Sequence, residues 1–219
     1  MTATVDQLVA QLHDEGDPAA SEELATRYGI HADDAVGIPM RRLKQIAKPL
    51  RPNHELAVEL WATGLYGART IAAHIDNPAR VTTEQMDSWA HDFDNWAIVD
   101  TTCFQLFDKA PDAWSMLKPW AENNAEFIKR AAFALLWALA LHDTDAPDES
   151  YRQALELAEA NATDDRHLVQ KAQTMALRAI AKKRPGVQPD VVALASALSS
   201  SDNPQARRVG KPIARAFTT

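Results

Sequence analysis

Trp96 and Asp100 stand four residues apart in the stretch FDNWAIVD near the middle of the chain. On a helix that spacing puts indole and carboxylate on one face, about one turn from each other. A carboxylate is costly to bury without a partner, whereas a flat aromatic ring beside an anionic oxygen suits a planar, cationic ligand. Spacing alone leaves two readings open. Either the pair faces such a ligand, or Trp96 packs inward and Asp100 turns to solvent at the edge of the apolar stripe.

The elements that must position this pair read as helices. Apolar residues recur at helical spacing in VDQLVAQL, PMRRLKQIAKPL, HELAVELWATGL and FIKRAAFALLWALAL. Ala and Leu abound, β-branched runs are short, and only seven glycines are present. Pro18, Pro39, Pro52, Pro78, Pro111, Pro147, Pro185 and Pro204 fall between the periodic segments, several where a first helical turn would begin. Thr82–Thr83–Glu84–Gln85 has the residues of a capping box, and HDTDAPDES, between two strongly helical stretches, reads as a flexible tip. About thirteen helices of roughly 10 to 18 residues, joined by short loops, are expected. Such a pattern fits stacked helical hairpins with a period of about 35 to 40 residues, near that of HEAT-type units. The expectation is an all-α helical-repeat superhelix (an α-solenoid), curved, with 1–219 as a single domain and basic residues on the concave side.

Composition narrows the class. A chain of 219 residues can bury a sizeable core, and 46% apolar with 24% charged residues is ordinary for a soluble globular protein. The longest apolar run, Ala131 to Leu141, is about half a membrane span, so no membrane partner is expected. The N-terminus MTATVDQLVAQLHDEGD lacks a basic leader region and does not read as a signal peptide. A lone cysteine, Cys103, cannot pair internally and fits a reducing, cytoplasmic setting; its apolar neighbours assign it to the core. A monomer is expected.

The net charge of −7 hides an asymmetry. Residues 165–219 hold ten Lys/Arg against three Asp, a local +7, which leaves −14 for residues 1–164. Arg41, Arg42, Lys44, Lys48 and Arg51 form a second basic knot. Such clusters on an otherwise acidic body are the footprint of a polyanion-binding face, although each cluster by itself is also what a solvated helix face looks like.

Several chemistries lack their residues. No glycine-rich phosphate loop occurs, and His54–Glu55 begins like a zinc-protease motif without the second histidine. The seven histidines are scattered, with no Cys/His cluster at metal spacing, and no Gly-x-Ser-x-Gly elbow is present. The expectation is carboxylate and aromatic chemistry with no metal and no cofactor.

The blocks YGI…VGIPMRRLKQIAK, HELAVELWATGLYGARTIA, DFDNWAIVD, FIKRAAFALLWALA and VQKAQTMALRAIAKKRP resemble, in order, those of the DNA alkylation repair glycosylases of the AlkD type, over roughly residues 20 to 215. The Trp-x-x-x-Asp block followed by Lys-Arg-Ala and Lys-Ala-x-x-x-x-Leu-Arg is the more specific part. The resemblance implies a superhelix of HEAT-like repeats that cradles duplex DNA containing alkylated bases. It also implies removal of cationic N3- or N7-alkylated purines by hydrolysis of the N-glycosidic bond, with the lesion able to stay stacked. It places the catalytic Trp–Asp pair on Trp96 and Asp100 and the site arginine on Arg130. A second family tryptophan falls on Met175, and an N-terminal tyrosine on Tyr28. Arg178, Lys182, Lys183, Arg207 and Arg208 would then contact phosphates. Two departures stand out: a flexible thioether at Met175 in place of an aromatic wall, and Gly67–Ala68 before the arginine of LYGARTIA, where relatives often carry Glu. A DNA-structure binder without catalysis and a helical scaffold for protein partners are the rival readings.

Overall fold

The computed structural model describes residues 4–30 and 37–217, apart from the side chain of Tyr28. Among them all regular structure is helical: thirteen α-helices, four short 3-10 turns and no strand. The chain divides into two compact units, 1–111 and 112–219.

In the first unit, α1 (Val5–Asp14) and α2 (Pro18–Tyr28) precede α3 (Met40–Ala47), α4 (His54–Ala62), α5 (Tyr66–Ile75), α6 (Thr83–His91) and α7 (Trp96–Gln105). Helix α5 is its axis: every residue but Arg69 is buried, and α3, α4 and α7 pack on it. Helices α4 and α6 are joined by Trp61 and Trp89, whose rings stack at 4.0 Å with 4° between planes. Alternate helices are therefore neighbours, α3–α5–α7 in one layer and α4–α6 in the other. Arg42 binds the Glu15 carboxylate through two hydrogen bonds of 2.6 Å, tying α3 to the end of α1. Those bonds, with one from Gln11, hold the Glu15 carboxyl down at about 2.

The second unit repeats the scheme. Helices α9 (Glu126–His142), α11 (His167–Lys183) and α13 (Pro204–Phe217) lie side by side, and α8 (Leu117–Ala121), α10 (Asp148–Ala160) and α12 (Gln188–Ser199) form the other layer. Helix α9 buries eleven of its 17 residues, as a helix apolar on nearly all sides must.

Three local expectations change. The helices run from five residues in α8 to 17 in α9 and α11, a wider spread than periodicity implied. Thr82 does cap α6, but the Gln85 side chain donates to Asp76 at 2.7 Å instead of returning to the cap. The complete capping box is Thr4 with Gln7 at the head of α1. The HDTDAPDES segment is pinned rather than a flexible tip. Asp143 accepts from the Trp114 indole at 2.8 Å and from the amides of Asp145 and Ala146 at 3.0 Å. The Tyr151 hydroxyl meets the carbonyls of Leu139 and Asp143 and accepts from Arg184 at 2.6 Å.

Close helix contact sets a testable limit. A Cβ at Gly210 would lie 2.6 Å from the Ser199 nitrogen and 2.7 Å from the Ala195 carbonyl, both backbone of α12. At Gly67 it would meet only Leu12 and Leu43 methyls at 3.4 to 3.5 Å. Gly210→Ala should therefore cost about 1–3 kcal/mol by forcing the helices apart. Gly67→Ala should be neutral or gain up to about 1 kcal/mol from helix propensity. Thermal melts of the two variants check the contrast.

Candidate functional site

Helix α7 begins at Trp96 because Asn95 caps it, accepting from the Ala97 and Ile98 amides at 3.0 Å each. The turn before it is clamped by Arg69, the α5 residue left out of the core. Its guanidinium donates to the Asp92 carbonyl at 2.8 Å and the Trp61 carbonyl at 3.4 Å, and lies 5.2 Å from the Trp61 ring centre. Trp61 in turn donates to the Asp92 carboxylate at 2.8 Å. Asp94 accepts from Asn95 at 2.7 Å, so clamp and cap are contiguous.

On α7, Ala97, Ile98, Val99, Thr102 and Cys103 are buried. Trp96, Asp100 and Phe104, four residues apart in succession, are half-buried along one strip. Trp96 is not lost in the core and Asp100 is not fully solvated. Cys103 is buried on another side of the helix. Tyr28 ends α2 before Gly29, which takes the left-handed conformation (φ 62°), and its side chain lies outside the described residues.

In the second unit the turn leading to α11 is fixed by Arg166. It forks onto Asp164 at 2.5 and 2.9 Å and donates to the Asn124 carbonyl at 2.7 Å. Arg166 holds the Asp164 carboxyl below its usual range, with Lys129 nearby at 3.5 Å adding to the effect. Arg130 is 3% exposed, and its guanidinium reaches from α9 to the Leu168 carbonyl in the first turn of α11, 2.7 Å away. Buried Gln170 and Gln173 reach back to the carbonyls of Asp164 and Asn161.

With its other sides packed, α11 presents His167, Lys171, Thr174, Met175, Arg178 and Lys182 along one face. All but Lys182, together with Gln170, and Arg208 and Pro212 of α13, line a cleft of about 360 Å³. No Asp or Glu lines it, so it is electropositive and fitted to phosphate oxygens. Three residues singled out from sequence, Met175, Arg178 and Arg208, thus meet in one place. Lys182 and Lys183 are exposed at the end of α11 outside the cleft. Arg207 turns elsewhere: it donates to the Ser201 and Asp202 carbonyls at 2.7 Å and holds the turn between α12 and α13.

Sequence reasoning missed His167, Lys171, Asn95 and Arg69. The first two follow from the helical spacing around Met175 and Arg178, and Asn before an apolar helix is a cap signal. Arg69 falls in the LYGARTIA block, but its clamping role left no local signal, because its acceptors lie 8 and 23 residues away. His54, the start of the abortive zinc motif, bonds Asp76 at 2.7 Å. Among the described residues no group of three His, Cys, Asp or Glu side chains is placed to hold a metal, and no helix is long and apolar enough to cross a membrane.

These features define an all-α protein of HEAT-like helical repeats. A solved structure described as belonging to "a new family of proteins related to the HEAT-like repeat DNA glycosylases with affinity for branched DNA structures" has the same fold. It superposes with a TM-score of 0.78 and 19% identity, over 98% of this chain and 96% of that one. Residues 8–209 match the family described as DNA alkylation repair enzyme, and the chain belongs to that family. Uncharacterized proteins of Listeria innocua (serovar 6a) and Listeria monocytogenes (serovar 1/2a) are 31% and 29% identical over 99 residues. Those matches span 44% of this chain and 44% of each relative, less than half of either length.

The adjacent arginines of α13 differ in what they do for the fold. Arg207→Ala should lower stability by about 1–3 kcal/mol through its lost carbonyl bonds. Arg208→Ala, at an exposed position, should leave the melting temperature within about 1 °C. Melting curves of both variants decide it.

Proposed function

We propose that the protein is a DNA glycosylase that excises cationic N3- or N7-alkylated purines from duplex DNA. One observation carries the reading. A chain of the DNA alkylation repair family keeps Trp96 and Asp100 on one half-exposed strip of a capped and clamped helix. Alkylation at N3 or N7 puts positive charge on the base and makes it a good leaving group. As the glycosidic bond breaks, its electron pair leaves with the base and the sugar gains oxocarbenium character. A fixed carboxylate at Asp100 stabilises that cation and orients the water that adds to the sugar carbon, taking up its proton. The Trp96 ring face attracts the cationic base and sugar, worth about 0.5–2 kcal/mol. Arg130, withdrawn from solvent, acts as a positioning residue through α11. Arg178 and Arg208 in the cleft bind backbone phosphates without reading sequence, and Lys182 and Lys183 add to the field. Undamaged purines, lacking the charge, are poor leaving groups and are left in place.

A second reading is favoured by the solved neighbour: a DNA-structure binder without catalysis, since that protein is described by its affinity for branched DNA. Release of methylated purines from N-methylpurine duplex DNA discriminates. Excision by the wild type, lowered at least about 100-fold in Asp100→Asn, supports the glycosylase. Tight binding of branched or linear duplex without base release overturns it in favour of the binder.

Met175 stands where the family resemblance places an aromatic residue. It is half-buried on the cleft wall, where a larger side chain has room to project. Met175→Trp should raise single-turnover excision by about two- to tenfold, the range of an oriented aromatic contact of about 0.5–1.5 kcal/mol. A melting temperature lowered with an unchanged rate would make Met175 a packing residue instead.

A further inference from the structure

Residues 112–164 hold ten Asp and Glu against four Lys and Arg, a local −6 opposite in sign to the +7 of residues 165–219. Four of those acids, Asp148, Glu149, Glu156 and Glu159, are on α10, in the layer that does not carry the electropositive cleft. The second unit therefore has an acidic helix that the site described above does not use.

Along α10 runs a groove of about 560 Å³, closed on its other side by the 3-10 turn Ala113–Met116 and α8. It shares no residue with the cleft on α11. With only five residues, α8 is too short to cover the flank of a 13-residue helix. The apolar lining is buried Leu117 and Ala154 with half-buried Trp114 and Leu157. Trp114 cannot fold into the gap, because its indole donates to Asp143 at 2.8 Å and its ring meets Tyr151 edge-on at 4.9 Å. The wall is thus preorganised, which lowers the ordering cost of binding.

The rim carries the charge. Glu149, Gln153 and Glu156 follow at intervals of four and three residues, so all three share the groove side of α10, and all are exposed. Arg152, near Glu149 at 3.5 Å, is held by Asp190 at 3.0 Å and the Gly186 carbonyl at 3.1 Å. Glu156 enters no ion pair among the described residues. Lys118 is the one cation lining the groove, and Glu122 takes it at 2.6 Å.

We propose that the groove between α8 and α10 docks an amphipathic helix of a partner protein, apolar at its centre and basic at both ends of the contact. Apolar side chains of that helix fill the space over Leu117, Ala154 and Leu157, and Lys or Arg residues reach Glu149 and Glu156. These two acids are seven residues apart, about 10.5 Å along α10. A helix lying beside α10 matches them with cations at i and i+7 and apolar residues at i+3 and i+4, the helix-in-groove mode of recognition. Nucleic acid does not suit the groove, since its phosphates would face those carboxylates. The site does not depend on the function proposed above.

The test uses the full chain, labelled with ¹⁵N, and a designed helical peptide of about 16 residues with Lys at i and i+7 and Leu at i+3 and i+4. The peptide should shift the amide signals of Leu117, Ala154 and Leu157 with a Kd of about 100 µM or tighter. A control peptide with Glu in place of both Lys should bind at least about tenfold more weakly. Glu149→Gln/Glu156→Gln should lower affinity about five- to tenfold and remove its salt dependence. Gln153→Lys, which puts a cation on the rim at an exposed position, should lower it at least about tenfold, and thermal melts should find both variants folded. Equal binding of the two peptides, shifts confined to other helices, or an affinity unchanged in Gln153→Lys overturns the proposal. A 20-base-pair duplex that shifts Leu117 and Leu157 overturns it in favour of nucleic acid. A wild-type dimer in sedimentation that Gln153→Lys splits overturns it in favour of a second copy of this chain.

Discussion

Helices apolar on nearly every side must be covered on nearly every side, and this constraint governs both units. Burial of each large apolar side chain contributes about 1.5–3 kcal/mol, so α5, α9 and α11 are fixed by their neighbours before any functional group is placed. What remains to face solvent on such a helix is limited. On α7 it includes Trp96, Asp100 and Phe104; on α11 it includes His167, Lys171, Thr174, Met175, Arg178 and Lys182. Groups held on a rigid helix and packed from behind need little reorganisation when charge develops near them, which is what an electrostatic site requires.

Arginine does two jobs here, and the difference is whether a backbone carbonyl claims it. Arg69, Arg130, Arg166, Arg184 and Arg207 each donate to carbonyls of loops or helix ends: those of Trp61 and Asp92, Leu168, Asn124, Thr144, and Ser201 and Asp202. These bonds satisfy groups that a chain of short helices leaves unpaired at every turn. Arg41, Arg51, Arg178 and Arg208 stay at the surface, where their charge is available to a ligand. The local +7 of residues 165–219 therefore overstates the charge that segment turns to solvent, because Arg166, Arg184 and Arg207 within it serve the fold.

That division also marks how far the sequence could be read. The all-α class was legible because 3.6-residue periodicity is strong in segments such as FIKRAAFALLWALA, and prolines mark the breaks. The repeat was harder to see. Helices α5, α7, α9, α11 and α13 begin at 66, 96, 126, 167 and 204, steps of 30, 30, 41 and 37 residues, so no fixed period emerges. The shared face of Trp96 and Asp100 was legible from spacing, whereas Met175 and Arg178 were singled out only through the family resemblance. The partnership of Arg208 with that face depends on α13 packing beside α11, a tertiary contact that no local pattern encodes. Arg207 and Arg208 look alike in sequence, and only the path of the turn at Ser201–Asp202 separates them. The pinned segment after α9 failed as a tip for the same reason: Trp114, Tyr151 and Arg184 reach it from three places in the chain.

In the proposed glycosylase the Asp100 carboxylate stabilises positive charge on the sugar. Tighter binding of a transition-state mimic than of its neutral counterpart is the direct signature of such stabilisation. The measurement is the affinity for a duplex carrying a cationic pyrrolidine in place of one deoxyribose, against the same duplex carrying neutral tetrahydrofuran. Wild-type protein should prefer the cationic duplex by at least about tenfold, or about 1.4 kcal/mol, and Asp100→Asn should abolish the preference. Equal affinity of the wild type for the two duplexes, or a preference that survives in Asp100→Asn, would contradict it.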